Sequence, residues 1–182
     1  SSDLDLNVHP RDYAEKAFKS NGSEDVEKIV KACRDRVRPP TPEMLEAYTN
    51  DVTMVVRNND VEGARVLQSQ GKFPRGVNPC NRFGESLLHV ACRRGHFDMV
   101  KFLVLEVGVS ASNIMDDYDR TPLHDACWTS NKTGSAYDIV DLLLQQPYVP
   151  DLLLCKDRRG FTPLDYTRAE DRARWLRFLR VR

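Results

Sequence analysis

Residues 82–109 read RFGESLLHVACRRGHFDMVKFLVLEVGV, and the same grammar returns at 117–144 as DYDRTPLHDACWTSNKTGSAYDIVDLLL and at 158–179 as RRGFTPLDYTRAEDRARWLRFL. Aligned on the tetrads SLLH, TPLH and TPLD, the equivalent first positions are Ser86, Thr121 and Thr162, spaced 35 and 41 residues apart. Self-similarity at such a period marks a stack of supersecondary units, each of which buries its apolar face only against a neighbour. Upstream, Asn59 matches Gly95 and brings out a degenerate copy, NDVTMVVRNNDVEGARVLQSQG, with its origin at Asn50.

Each unit predicts a turn, a short apolar helix, a polar break and a longer helix. In the unit that opens at Arg82 the apolar positions are Leu87, Leu88, Val90 and Ala91, then Met99, Val100, Phe102, Leu103 and Val104, at helical spacing. Thr121 before Pro122, and Thr162 before Pro163, suit helix starts: the hydroxyl accepts from free backbone N–H groups, and proline's missing N–H costs nothing at the first helical position. Gly95 and Gly108 stand where helices should stop.

These tetrads and their spacing resemble the ankyrin repeat family, with the TPLHxA pattern close over residues 81–182, weak over 41–80 and not visible over 1–40. SLLH and TPLD depart from the tetrad, and Asp119 stands where the family usually has glycine. The resemblance implies an all-α helical solenoid of three to four repeats with short β-turn or hairpin fingers and an N-terminal helical cap. The expected divisions are a disordered tail at 1–9, a helical cap at 10–48, a degenerate repeat at 49–80, repeats at 81–115 and 116–156, the latter with an insertion at 129–135, and a C-terminal capping repeat at 157–182.

Within the cap, Ser23 opens a helix with Val26, Ile29, Val30, Cys33 and Val37 on one face. Pro39 and Pro40 end it. Thr41 and Pro42 begin another helix, with Met44, Leu45, Tyr48, Val52 and Val55 on its inner side. Ahead of these, DLNVHP at residues 5–10 is similar to the DLNxxP repression motif of plant transcription regulators, against the plainer reading of a tail ending at a helix start.

The composition is that of a soluble globular chain: 41% hydrophobic, 30% charged, and 27 basic against 27 acidic residues. That balance is uneven, because residues 158–182 carry 8 basic and 3 acidic side chains. Five scattered cysteines without a CxxC pair fit a reducing compartment, and the absence of a secretion signal or long apolar span leads to the expectation of cytosol or nucleus without membrane attachment.

No phosphate loop, nucleophile elbow, HExxH or paired-carboxylate pattern is present, so the chain reads as non-catalytic and no cofactor is implied. His89, Cys92 and His96 have a spacing that zinc could use, but lack a second ligand pair nearby. The resemblance assigns His89 and His124 to hydrogen bonds that tie the turns, and Cys92 and Cys127 to small core positions. In the tail, Trp175, Leu176, Phe178 and Leu179 form one apolar face opposite Arg172, Arg174, Arg177 and Arg180, which suits an end cap better than a nucleic-acid surface.

The resemblance places partner contacts on the turn tips and inner helices. Carried over by position, the tips offer Arg82, Phe83 and Glu85, then Asp117, Tyr118 and Arg120, then Arg158, Arg159 and Phe161, and the inner helices offer Arg93, Arg94 and Trp128. Arginine and aromatic side chains dominate interface energetics. The expected function is therefore an interaction module or adaptor for a protein partner, its oligomeric state open. The alternatives are a nucleic-acid or chromatin-associated protein using the arginine-rich end, and a regulatory fragment of a larger enzyme.

Overall fold

The computed structural model describes Asp12, residues 24–132 and residues 134–181. The expected tail at 1–9 lies outside these residues. Among them the chain forms α1 (Glu24–Arg36), α2 (Pro42–Glu46) and then stacked helix pairs. The pairs are α3 (Asn50–Arg57) with α4 (Val61–Ser69), α5 (Leu87–Arg93) with α6 (Phe97–Lys101), and α7 (Pro122–Thr129) with α8 (Ser135–Leu144). The second of each pair buries its apolar stripe; α6 runs on into a π-helical turn, Phe102–Val107, that Gly108 closes in the left-handed conformation. A fourth unit follows, with 3-10 turns at Pro163–Tyr166 and Ala169–Asp171 and the helix α9 (Arg172–Arg180).

The inner helices all start the same way. The hydroxyls of Thr49, Ser86, Thr121 and Thr162 each accept from the backbone N–H three residues on, at 3.4, 3.2, 3.3 and 3.4 Å. Each such cap is worth about 1 kcal/mol. In the second and third units His89 and His124 complete the exchange, their Nδ1 atoms accepting from the Ser86 and Thr121 N–H groups at 3.2 and 3.1 Å. Asp165 does the same for Thr162 at 2.8 Å.

One apolar cluster runs through all four units, from Val52 and Val56 through Leu87, Leu103, Leu123, Ile139 and Leu143 to Leu164, Trp175 and Leu179. Burying each of these aliphatic side chains contributes about 1.5–3 kcal/mol, so the spine of the stack is its main source of stability. Cys33, Cys80, Cys92, Cys127 and Cys155 are free thiols, all buried within the fold.

Three expectations change. The helix from Thr41 breaks after Glu46, because the Thr49 side chain starts a new helix at Asn50; Leu45 is exposed as a result. The first unit's origin is therefore Thr49 rather than Asn50, and its inner helix is one residue longer than α5. The fingers are short turns, as expected, with a single antiparallel bridge, Cys80 to Ser86, among the described residues.

The third change concerns α1. It does not sit over the open end of the first unit, where Met54 and Val66 are exposed. It packs instead beside the 3-10 turn Pro150–Leu154. Arg36 lies 3.8 Å from the Asp151 carboxylate and 3.9 Å above the Tyr148 ring, and the Cys33 and Cys155 thiols meet. From there the chain walks back along the loop edge of the stack. The Arg38 N–H donates to the Asn113 carbonyl at 3.0 Å, and the Met44 carbonyl accepts from the Cys80 N–H at 3.2 Å, before Thr49 opens the first unit.

Candidate partner-binding cleft

Three turns project from the stack with one geometry. Asn81 Oδ1 accepts from the Phe83 and Glu85 N–H groups, Asp116 Oδ1 from Tyr118 and Arg120, and Asp157 Oδ1 from Arg159 and Phe161, all at 2.9–3.1 Å. Such side-chain to backbone bonds replace the ladder that a hairpin would supply. The fourth residue of each turn, Gly84, Asp119 or Gly160, takes a positive φ of 76, 57 or 84°. This common frame places Phe83, Tyr118 and Arg159 at the third position of successive turns and Glu85, Arg120 and Phe161 at the fifth.

Histidines join the turns from one unit to the next. Nδ1 of His89 accepts from the Ser86 backbone, so the ring's proton lies on Nε2, which donates to the Arg120 carbonyl at 2.8 Å. His124 repeats the arrangement toward the Phe161 carbonyl at 3.0 Å. Burial holds both rings neutral: it lowers the His89 pKa and brings that of His124 down to about 4. His96 is turned elsewhere, its Nδ1 bonded to the Val56 carbonyl at 3.1 Å. Among the described residues no group of three or more His, Cys, Asp or Glu is arranged to hold a metal ion.

Between the third and fourth units the inner face opens into a cleft of about 380 Å³. Arg93, Tyr118, Arg120, Asp125, Trp128, Asp157, Arg159 and Tyr166 line it. The fold thus brings together five of the twelve sequence-predicted residues: Arg93, Tyr118, Arg120, Trp128 and Arg159. The others surround it or lie apart. Glu85 holds Arg93 at 3.1 Å, and Phe161 sets its ring edge-on to Tyr166 at 6.2 Å. Arg158 lies at the tip, with its Nε 4.0 Å from the Asp119 carboxylate, and Asp117 is exposed beside it. Arg82 covers the half-exposed Phe83 ring at 4.7 Å, one turn away, and Arg94 points to solvent.

The cleft's charges are strongly interlocked. Arg120 donates from Nε to Asp116 at 2.9 Å, with its guanidinium 5.0 Å above the Tyr118 ring. Burial works to raise the Asp157 pKa, but donors outweigh it: the Tyr166 hydroxyl and the Phe161 and Arg159 N–H groups hold the carboxyl below its usual range. Asp125 is the exception. It is 4% exposed, its Oδ2 has no hydrogen-bond partner, and burial pushes its carboxyl up to about 7.

Sequence reasoning missed Asp125, Asp157 and Tyr166. Asp157 was findable as the counterpart of Asp116. Tyr166 replaces Asp125 four residues after the cap, a position whose side chain faces the groove. The burial of Asp125 has no signal in the chain, because it comes from the neighbouring units.

Of the insertion at 129–135, Thr129, Asn131 and Lys132 contact residues of this cleft or their neighbours. Thr129 is the buried last residue of α7, and its hydroxyl donates to the Cys92 and Arg93 carbonyls at 3.0 and 2.5 Å. Asn131 donates to the Tyr166 carbonyl at 2.8 Å, and Lys132 sets its ammonium 3.8 Å from the centre of the Trp128 ring.

No curated protein matches the chain. A family model described as ankyrin repeats (3 copies) matches residues 52–152, more than half of the 182 residues, from within α3 to within the turn that carries Asp151.

Proposed function

The chain belongs to the ankyrin repeat family, and from that premise we propose that it is a non-catalytic adaptor that holds a protein partner in the cleft between its third and fourth units. Ankyrin repeats are generally protein–protein interaction modules and typically non-catalytic. The observation that carries the reading is the cleft itself: aromatic rings and guanidinium groups, those of Arg93 and Arg120 already held by carboxylates, converge on a side-chain-sized hollow. A surface held in shape before contact loses little conformational entropy on association. Arg82, Phe83, Glu85, Arg94, Asp117, Arg158 and Phe161 form the rim of the same face.

The arginine-rich end supports a cap. Trp175 is buried and stacked on Tyr137 at 4.4 Å, and the half-buried Phe178 ring packs edge-on against both, so the rings of α9 are engaged within the fold rather than free for base stacking. No helix among the described residues is long and apolar enough to cross a membrane. Five free, buried cysteines support a reducing compartment, the cytosol or nucleus.

Affinity purification with the wild type and with Trp128→Ala/Arg159→Glu, followed by mass spectrometry, tests the reading. A protein captured by the wild type and lost with the variant is expected, at unchanged circular dichroism. Equal capture by both would remove the cleft from the account. Charge reversal at Arg82, Asp117 and Arg158 together tests the rim in the same way.

A further inference from the structure

We propose that the cleft takes a basic side chain of the partner, its cationic head against the Asp125 carboxylate and its stem along the Trp128 ring; this rests on reading the cleft as the partner-binding face. Asp125 is the cleft's unfinished group. Its nearest cation, Arg93 Nη1, lies 3.7 Å from Oδ2, beyond hydrogen-bond reach, and makes its own hydrogen bond to Glu85 at 3.1 Å. A buried carboxylate oxygen left without a donor is destabilising, and an incoming N–H group relieves that penalty.

The pairing of the charges favours a cation. Arg93, Arg120 and Arg159 line the cleft with Asp125 and Asp157, and Glu85 and Asp116 engage two of the three guanidiniums from its edge. Arg93 and Arg120 are held by Glu85 and Asp116, and Asp157 is satisfied by Tyr166 and the backbone. An anionic occupant would meet two carboxylates on the cleft wall and find only Arg159 without a carboxylate partner among the described residues.

The Trp128 ring shows the same preference. It already carries a cation of the chain itself, the Lys132 ammonium. An indole face is the best aromatic acceptor for ammonium and guanidinium groups. The volume of about 380 Å³ accommodates a long side chain together with part of its backbone.

Cation binding requires the ionised form of Asp125. Burial favours the protonated form, Arg93 and Arg120 oppose it, and Asp116 and Glu85 reinforce it, while the Tyr166 hydroxyl and the Cys92 thiol face it from the adjacent units. With the carboxyl at about 7, roughly nine-tenths is ionised at pH 8 and a tenth at pH 6. Capture of a cation should therefore be about tenfold weaker at pH 6 than at pH 8.

The experiment titrates the full chain with acetylated, amidated Gly-Arg-Gly, Gly-Glu-Gly and Gly-Leu-Gly tripeptides, following the indole N–H signals by NMR, with Trp128→Phe to assign them. The arginine peptide should shift the Trp128 signal saturably, leave Trp175 unmoved and bind about tenfold more weakly at pH 6. Asp125→Asn should abolish the shift. A stronger response to the glutamate peptide, an absent or reversed pH dependence of the wild type, or full binding by Asp125→Asn would overturn the proposal. No tripeptide response, with the affinity-purified partner still lost in Trp128→Ala/Arg159→Glu, would sink the basic-side-chain assignment alone. If that partner is also retained, the binding face falls with it.

Discussion

Nε2 of His89 lies 2.8 Å from the backbone carbonyl oxygen of Arg120, so one imidazole caps its own helix and ties its unit to the turn of the next. His124 and Phe161 repeat this relationship at 3.0 Å. Both rings must be neutral to do so, since Nδ1 accepts from a backbone N–H.

Acid should loosen the stack through these two residues. His124 titrates at about 4 in the folded chain against an ordinary 6.5, so between those values the unfolded state binds more protons and stability falls as the pH falls. The full contribution is present above 6.5, and its loss reaches about 3 kcal/mol below 4. The Asp125 carboxyl, raised to about 7, works in the opposite sense over the same range, so the thermal melts are made in an Asp125→Asn background. The midpoint there should be lower at pH 5 than at pH 7.5, with the difference reduced when His124→Gln is added. A midpoint that is flat or rises toward acid would contradict the assignment.

The turn glycines should differ in their tolerance of a side chain. A Cβ on Gly84, at φ +76°, would lie 2.6 Å from the Met115 carbonyl oxygen, a backbone atom that cannot swing away. Around Gly160, at φ +84°, there is open space. Gly160→Ala should cost about 1 kcal/mol, the left-handed penalty alone, whereas Gly84→Ala should cost about 2 kcal/mol or more. Urea unfolding of both variants checks the order; equal costs would refute it.

Release of α1 should follow loss of one cation. Arg36→Ala leaves the Asp151 carboxylate, 9% exposed at its side chain, without its guanidinium and strips the Tyr148 ring. A destabilisation of about 1–3 kcal/mol is expected. Hydrogen exchange should accelerate in Glu24–Arg36 more than in α5 or α7. Uniform acceleration across all helices would show that α1 is not a separable strap.

What the chain determines by itself is local. Thr121 with Pro122 and Thr162 with Pro163 specify helix starts because capping needs only residues a few positions apart. The spacing of Leu87, Met99 and Leu103 specifies buried stripes, because helical periodicity is a property of one segment. The repeated tetrads then announce a stack, since identical units bury identical faces.

Tertiary structure decided the rest. The apolar face of Ile29 and Cys33 is legible as a buried helix stripe, but nothing in its pattern says that it packs near Leu154 and Cys155 rather than over the exposed Met54 and Val66. An apolar surface is non-directional, so its partner is settled by shape and by the path of the chain. The cleft has the same origin. Arg93, Arg120, Trp128 and Arg159 could be picked from sequence by residue type, but their convergence on Asp125, and the desolvation that leaves its carboxylate wanting a donor, exist only once the third and fourth units are stacked.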